Sequence, residues 1–239
     1  MDHIAGMECI VLAGGLGTRL RSSIGDFPKC MAEVNGKPFL HYIFQYLLAQ
    51  QCSRVILSLG YKHEVITDWL AEESWPFEID YVIEREPLGT GGGIQLAMQK
   101  ASTQNVAVLN GDTMFSVALS KLFSFHEDKK SATTLALKEM FDFDRYGVVN
   151  KDSDSHIISF EEKQARKQGL INGGVYIINK QDFLDKVLPQ KFSFEKDYLE
   201  AFVGEQKFYG YEADAYFIDI GIPQDYRQAQ EDFKTLFQG

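Results

Sequence analysis

The sequence of 239 residues predicts a three-layer α/β fold, in which a mixed, mostly parallel sheet lies between helices. Two observations lead to this prediction. In the first half of the chain, short apolar strands alternate with helical segments across short connections, which is the pattern of crossovers between parallel strands. In the second half, strand-like segments follow one another across turns, so the sheet is expected to become mixed.

The elements of the first half follow from apolar runs and helical spacing. The runs ECIVLA and RVILSL are typical of strands that are buried on both faces. The first helix is predicted to begin at Pro38, because proline is favoured in the first turn. The predicted order is strand 8–13, helix 38–51, strand 54–59, helix 65–72, strand 79–84, helix 90–101 and strand 105–110.

The second half is predicted to hold mostly strands, with helices at 180–188, 194–203 and 225–237. Its predicted strands are 132–139, 146–150, 156–162, 173–179 and two more within 207–221, joined by a tight turn at 212–214. No repeat and no linker composition interrupts the chain. We therefore expect a single domain over residues 1–239.

Charge and cysteine content exclude several classes of protein. A net charge of −10 argues against a nucleic-acid partner, and no apolar run is long enough for a membrane span. Three cysteines without a CxxC pair favour a reducing, cytoplasmic location over a disulfide framework or a zinc site. An anionic ligand would need local cations or a metal ion in so acidic a protein.

The segment LAGGLGTRL, residues 12–20, places bare backbone directly after the first strand. Glycines there let backbone N–H groups approach a phosphate closely. The third glycine of a dinucleotide fingerprint is replaced by Leu20, and no P-loop run occurs. The remaining interpretations are a nucleotide loop in which Arg19 contacts the triphosphate, and a tight turn with Arg19 in solvent. Lys29 in the following PK pair favours the first.

Further motifs follow in order, namely EPLGTGGG at 86–93, NGD at 110–112, YGVV at 146–149, FEEK at 160–163, NGGVY at 172–176 and FIDIG at 217–221. With this set the chain resembles the sugar-1-phosphate nucleotidylyltransferases over nearly its whole length. The resemblance implies their Rossmann-like nucleotide-diphospho-sugar transferase fold, with a nucleotide-binding half at about 7–115 and a sugar-binding half at about 116–239. VNGKPFL and FIDIGIPQDY are most similar to a guanylyltransferase branch whose acceptor is D-glycero-alpha-D-manno-heptose 1-phosphate.

The resemblance implies that an NTP and a sugar 1-phosphate give an NDP-sugar and pyrophosphate. The attacking phosphate is already an anion, so positioning and charge neutralisation are expected to carry the catalysis. The implied catalytic cations are Arg19 on the triphosphate, Lys29 between the reacting phosphates and Lys163 on the phosphate of the sugar. Asp112 and Asp219 are implied to bind Mg²⁺, a hard ion that prefers oxygen ligands.

The base is predicted from Glu84, three residues before the proline of EPLGTGGG. Relatives that use a pyrimidine nucleotide typically have Gln at this position. An ionised carboxylate only accepts hydrogen bonds and matches the two adjacent donors of guanine, so GTP is predicted. The other implied nucleotide contacts are Leu12, Ala13, Gly14, Gly15, Gly17, Thr18, Gly89 and Thr90. The implied sugar contacts are Gly147, Glu162, Asn172 and Gly173.

Several alternatives remain open on the sequence. Mannose 1-phosphate with GTP, or another sugar 1-phosphate with UTP or dTTP, would keep the reaction and change the substrate. A sugar-nucleotide sensor is the alternative outside catalysis, although it need not keep both metal carboxylates. Lys163 could instead form a surface salt bridge, and Arg145 is expected to be solvated. The resemblance also leaves a homo-oligomer open.

Overall fold

The computed structural model describes residues 6–15 and 25–237. Its strands are β1 (Glu8–Leu12), β2 (Glu33–Val34), β3 (Lys37–Pro38), β4 (Arg54–Leu59), β5 (Glu78–Ile83), β6 (Asn105–Asn110), β7 (Thr113–Phe115), β8 (Thr133–Phe143), β9 (Val149–Lys151), β10 (Ile157–Phe160), β11 (Arg166–Asn179), β12 (Phe208–Glu212) and β13 (Phe217–Asp219). Its α-helices are α1 (Phe39–Ala49), α2 (His63–Glu72), α3 (Gly89–Met98), α4 (Leu119–Lys129), α5 (Lys180–Leu184) and α6 (Pro223–Leu236). A π-helical segment covers Phe194–Glu200.

The central sheet has seven strands in the order β12-β8-β11-β6-β1-β4-β5. Strand β11 runs antiparallel to its neighbours β6 and β8, whereas the other neighbouring pairs are parallel. Antiparallel ribbons of two strands, β7 with β13 and β9 with β10, lie outside this sheet. The prediction of a mixed, mostly parallel sheet is confirmed.

Helices cover both faces of the sheet, as the apolar strands require. Along β1, Cys9 and Val11 point into one core with residues of α1, α2, α4 and α6. Ile10 points to the opposite face, into a core with residues of α3, α5 and the π-helical segment. This alternation follows from the two-residue period of a strand and gives the three predicted layers.

Strands β1, β5 and β6 end at the same edge of the sheet because they run in the same direction. The backbone N–H of Gly111, just after β6, donates to the carbonyl of Leu12 at the end of β1 (2.9 Å). Glu84 follows β5 and donates its backbone N–H to Leu59 at the end of β4 (2.8 Å). Residues just beyond these strands therefore share one surface, the usual position of a ligand in an open α/β sheet.

The structure of the second half differs from the predicted elements in three details. The two strands predicted within 207–221 do not pair with each other, because β12 joins β8 and β13 joins β7. The helix predicted over 180–188 ends at Leu184, shortly before Pro189, which disfavours helical backbone in the residue preceding it. Helix α4 was not predicted.

Among the described residues, no helix combines the length and the apolar character needed to cross a bilayer.

Candidate active site

A cavity of about 330 Å³ opens at the carboxyl ends of β1, β5 and β6. It is formed largely by backbone, since glycines and short side chains dominate its wall. Predicted site residues that line it are Leu12, Ala13, Gly14, Gly15, Lys29, Glu84, Gly89, Thr90 and Asp112. The predicted contacts Gly17, Thr18 and Arg19 lie outside the described residues. We call this space the strand-end cavity.

Two glycines of this wall have no room for a side chain. A Cβ atom on Gly111 would lie 2.4 Å from the carbonyl oxygen of Leu12. Gly89 has a φ of +75°, and a Cβ atom there would lie 2.5 Å from the carbonyl oxygen of Phe192. Both distances are far below contact distance, and the positive φ disfavours other residues as well. Neighbouring backbone segments therefore pack in direct contact at these two glycines, and the wall of the cavity there consists of backbone atoms.

Glu84 packs against Gly14, which lines this cavity, and against Gly93 of α3. Its Oε2 accepts a hydrogen bond from the backbone N–H of Leu88 (2.9 Å), and its Oε1 accepts one from the hydroxyl of Ser58 (3.3 Å). A Cβ atom on Gly14 would lie 3.1 Å from Oε1, and one on Gly93 would lie 2.9 Å from it. The carboxylate is thus held from several sides, yet it still lines the cavity.

Lys29, Asp112 and Asp219 form a compact charged cluster beside the cavity. The ammonium of Lys29 donates to Asp112 Oδ2 at 2.6 Å and to Asp219 Oδ1 at 3.2 Å. Its side chain is only 14% exposed, so the ion pairs are partly shielded from water. One cation therefore separates two carboxylates whose charges would otherwise repel each other.

The ribbon of β7 and β13 explains how two aspartates far apart in sequence meet. Thr113 and Asp219 are paired in this ribbon, which places Asp112 beside the end of β13. The backbone N–H of Ile220 donates to the carbonyl oxygen of Asp112 (3.1 Å). Gly221 donates its backbone N–H to Asp219 Oδ1 (2.8 Å) and fixes that carboxylate.

A second, smaller cavity of about 160 Å³ lies in the second half of the chain. Predicted sugar-site residues on its wall are Gly147, Glu162, Lys163 and Asn172, together with the unpredicted Tyr146, Glu195, Lys196 and Glu200. Within the described part of the chain, Lys163 forms no ion pair and is exposed. The alternative of a surface salt bridge for this lysine therefore finds no partner there. We call this space the second-half cavity.

Two of the predicted sugar contacts, Asn172 and Gly173, make close contacts within the protein. Asn172 donates to the hydroxyl of Tyr176 (2.8 Å) and to Glu195 (3.2 Å), and its side-chain oxygen accepts from the backbone of Gly174 (3.1 Å). Gly173 is not on the wall of the second-half cavity. A Cβ atom on Gly173 would lie 2.3 Å from the ring of Phe115, so this glycine makes room for an aromatic ring of β7.

Comparison with known proteins gives this geometry its family. The sequence profile of the nucleotidyl transferase family matches residues 8–235. The chain belongs to this family.

Two similar relatives carry the same name. The chain is 53% identical to the D-glycero-alpha-D-manno-heptose 1-phosphate guanylyltransferase of Aneurinibacillus thermoaerophilus, over 95% of this chain and 99% of that protein. It is 50% identical to the enzyme of the same name from Campylobacter jejuni, over 92% of this chain and 97% of that protein. The crystal structure of HddC from Yersinia pseudotuberculosis complexed with GMP-PN matches with a TM-score of 0.85 at 40% identity, covering 95% of this chain and 99% of that chain.

Some residues of this nucleotidyl transferase were missed on the sequence. Cys30, Pro87, Asn110 and Gly111 line the strand-end cavity, and all four lie within or beside the motifs that were recognised. Burial raises the pKa of Cys30 to about 12, so its thiol stays protonated and is no nucleophile. Glu195, Lys196 and Glu200 belong to the π-helical segment or its edge, where no motif pointed to a site.

Arg145 is a correction to the sequence analysis. It was expected to be solvated, but its guanidinium forms an ion pair with Asp225 and lies over the ring of Tyr146. Tyr146 in turn lines the second-half cavity. Asp225 lies 80 residues after Arg145 in the sequence, so nothing local to Arg145 could have indicated this ion pair.

Proposed function

We propose that this chain transfers the guanylyl group of GTP to D-glycero-alpha-D-manno-heptose 1-phosphate, giving a GDP-heptose and pyrophosphate. The observation that carries the proposal is the cluster of Lys29, Asp112 and Asp219, of which Lys29 and Asp112 lie on the wall of the strand-end cavity. It offers both signs of charge where two phosphates must meet. The choice of heptose rests on the names of the two relatives that are at least 50% identical.

Guanine is supported by the acceptor capacity of Glu84. A carboxylate has about four lone-pair positions, and the hydrogen bonds from Ser58 and Leu88 use two of them. The remaining positions suffice for the N1–H and 2-amino donors of guanine. Adenine and pyrimidines do not present that pair of donors. The crystal structure of the Yersinia relative, which is complexed with GMP-PN, favours the same base.

A divalent cation fits the aspartate pair. Oxygen atoms of both carboxylates already converge on one cationic atom, the ammonium of Lys29. Among the described residues, no hydrogen bond reaches Asp219 Oδ2, and no group of three or more metal-binding side chains occurs. Two carboxylates without further protein ligands suit Mg²⁺, which completes its shell with water and phosphate oxygens. When bound there, Mg²⁺ would neutralise charge on the triphosphate.

The chain's own residues then have distinct tasks. Lys29 would contact the reacting phosphates from the aspartate side, and Arg19 keeps its predicted contact with the triphosphate. Lys163, exposed on the wall of the second-half cavity, would bind the phosphate of the sugar. That phosphate attacks the α-phosphorus in line and pyrophosphate leaves, so positioning and charge neutralisation replace a general base. The nucleotide-binding half (7–115) and the sugar-binding half (116–239) would meet at this point.

The test is pyrophosphate release from each of the four NTPs with heptose, mannose, glucose and N-acetylglucosamine 1-phosphates, with and without Mg²⁺. We expect turnover with GTP and the heptose in the presence of Mg²⁺, and little in any other combination. Faster turnover with UTP or dTTP would overturn the assignment of Glu84, and faster turnover with mannose 1-phosphate would overturn the heptose. Binding of nucleotide without pyrophosphate release from any combination would leave a sensor.

We also propose a cytoplasmic location, which the state of the thiols supports. Cys9, Cys30 and Cys52 are all free and buried. A chain without disulfides, acting on a nucleoside triphosphate, fits the reducing cytoplasm. Cell fractionation tests this, and recovery of the protein outside the cytoplasmic fraction would contradict it.

A further inference from the structure

Arg145 lies in the loop between β8 and β9 and is anchored on two sides. Its Nη2 donates to Asp225 Oδ2 in the first turn of α6. Its guanidinium carbon lies 5.2 Å from the centre of the Tyr146 ring, within the range of a cation–π contact. Arg145 and Asp225 have exposed side-chain fractions of 37% and 21%, so this pair is better shielded than most surface ion pairs.

Tyr146 connects this ion pair to the site. It lines the second-half cavity, and its ring meets the ring of Phe217 edge-on with centres 5.9 Å apart. Phe217 begins β13, the strand that ends at Asp219. Burial, together with the charge of Asp219, raises the pKa of Tyr146 to about 12, so the phenol remains a neutral wall at physiological pH.

The residue after Tyr146 is packed just as closely. A Cβ atom on Gly147 would lie 2.4 Å from the carbonyl oxygen of Glu161, so the backbone of this loop lies against the chain that follows β10. Gly147 is itself a predicted sugar contact. A displacement of the loop would therefore move the wall of the cavity and not only a surface turn.

We propose that Arg145 and Asp225 form a latch that holds the Tyr146–Gly147 wall of the second-half cavity in place relative to Asp219. Helix α6, which carries Asp225, begins at Pro223, four residues after Asp219. The ion pair thus ties the wall of the second-half cavity to the segment that supplies Asp219 to the cluster with Lys29. Arg145 is a positioning residue for the sugar 1-phosphate; this assignment of the cavity rests on the proposed function.

The test compares the variants Arg145→Gln, Asp225→Asn and the double variant. We expect the KM for the sugar 1-phosphate to rise about tenfold, with the KM for GTP within about twofold of wild type. The double variant should be no worse than either single variant, because both remove the same contact. Arg145→Lys should raise the KM for the sugar 1-phosphate nearly as much, since lysine keeps the charge but lacks the planar fork.

A matched control is available in Lys186→Gln. Lys186 also forms an ion pair, with Glu205, and its ammonium lies 4.7 Å from the ring centre of Phe202. It is absent from the walls of both cavities. We expect this variant to keep both KM values. An equal rise of both KM values in Arg145→Gln, or no rise in either, would overturn the latch.

A readout that does not depend on turnover separates this proposal from the proposed function. Amide hydrogen exchange of residues 143–149 should accelerate in Arg145→Gln and Asp225→Asn and stay unchanged in Lys186→Gln. Exchange that is the same in all variants would refute the latch, whatever the enzyme turns over. If the wild type releases no pyrophosphate with any sugar 1-phosphate, the proposed function fails and the exchange result still decides whether the pair holds the wall.

Discussion

The parallel strands carry a cluster of charged side chains at each of their ends, and the two clusters differ in how fully their oxygens are satisfied. At the amino ends of β1, β4 and β5, Glu8, Arg54 and Asp80 form a closed network with Lys100. At the carboxyl ends, Lys29 bridges Asp112 and Asp219 beside an open cavity. Both clusters combine acids with a shared cation, so residue type alone does not distinguish them.

Glu8 shows what a closed cluster is. Its side chain is 3% exposed and accepts hydrogen bonds from Arg54 and from the backbone and hydroxyl groups of Ser102 and Thr103. Burial alone raises the pKa of a carboxyl group, but these hydrogen bonds lower the pKa of Glu8 to about 2. No lone pair is left for a ligand, and the cluster holds strands together.

The carboxyl-end cluster is incomplete by comparison. Asp219 Oδ1 is bound by Lys29 and by the backbone of Gly221, whereas within the described residues Oδ2 has no donor. The side chain of Asp112 is 37% exposed. A charged cluster therefore indicates chemistry when it lies beside a cavity and its oxygens retain unused acceptor positions. A buried and saturated cluster indicates architecture.

The largest effect is expected from Asp219→Asn. Removing one of two carboxylates should lower kcat/KM about a thousandfold, because the Mg²⁺ that the pair would hold is the charge that neutralises the phosphates. The free energy of unfolding, measured in urea, should change little. Asparagine keeps the size of the side chain and an oxygen that accepts the hydrogen bond from the backbone N–H of Gly221. Activity above a tenth of wild type would contradict the placement of the active centre at this cluster.

Glu8→Gln tests the opposite end. Breaking a buried, saturated ion pair should cost about 3 kcal/mol in the free energy of unfolding, while kcat/KM of the folded protein stays at the wild-type value. Glu78→Gln is the matched control, because Glu78 also pairs with Arg54 but is 66% exposed, and a loss below about 1 kcal/mol is expected. Equal losses of unfolding free energy in Glu8→Gln and Glu78→Gln would show that burial does not decide how much each ion pair contributes.

The same carboxylate makes the protein sensitive to acid. The folded pKa of Glu8 lies below its unfolded value of 4.5, so its contribution is complete above pH 4.5 and is lost as the pH falls towards 2. Glu8→Gln should therefore flatten the dependence of unfolding free energy on pH in that window. The measurement is a series of urea unfolding curves between about pH 2 and 5. If the unfolding free energy of Glu8→Gln depends on pH as steeply as that of the wild type, the acid sensitivity does not come from Glu8.

His126 gives a smaller effect at the amino end of β6. Its ring nitrogens lie 3.0 Å from Thr134 Oγ1 and 3.3 Å from Asn105 Oδ1, an arrangement that suits the neutral ring. Burial lowers the pKa of His126 to about 4, below its unfolded value of 6.5. Stability should thus fall by up to about 3 kcal/mol between pH 6.5 and 4, less where the site admits water. His126→Gln should remove this fall in stability. If the fall persists in the variant, another group causes it.

The smallest effect is expected from Glu84→Gln, which alters selectivity at the carboxyl ends. Glutamine keeps the size of the side chain but replaces one acceptor by a donor. The ratio of kcat/KM for GTP to that for UTP should fall about tenfold, which corresponds to about 1.4 kcal/mol. Equal losses with both nucleotides would mean that Glu84 only holds the loop through Leu88.

The first half of the fold was predictable because its signals are local. The strands at 54–59 and 105–110 were predicted to the residue, since each is a continuous apolar run. The partners of β12 and β13 were not, because pairing depends on register between segments far apart in the chain. The meeting of Asp112 with Asp219 came from a family resemblance for the same reason. Roles such as that of Arg145 depend on three-dimensional contacts that no motif encodes.

The ribbon of β7 and β13 also sets the moment at which a newly made chain gains its second carboxylate. Asp112 and Asp219 are roughly a hundred residues apart, which takes a ribosome about 5–20 seconds to translate. During that interval β1, β4, β5 and β6 can pair, but β7 has no partner strand and the cluster holds one acid. Such distant pairing is a late, slow step of folding. The complete charge cluster is thus among the last features of the site that a nascent chain can acquire.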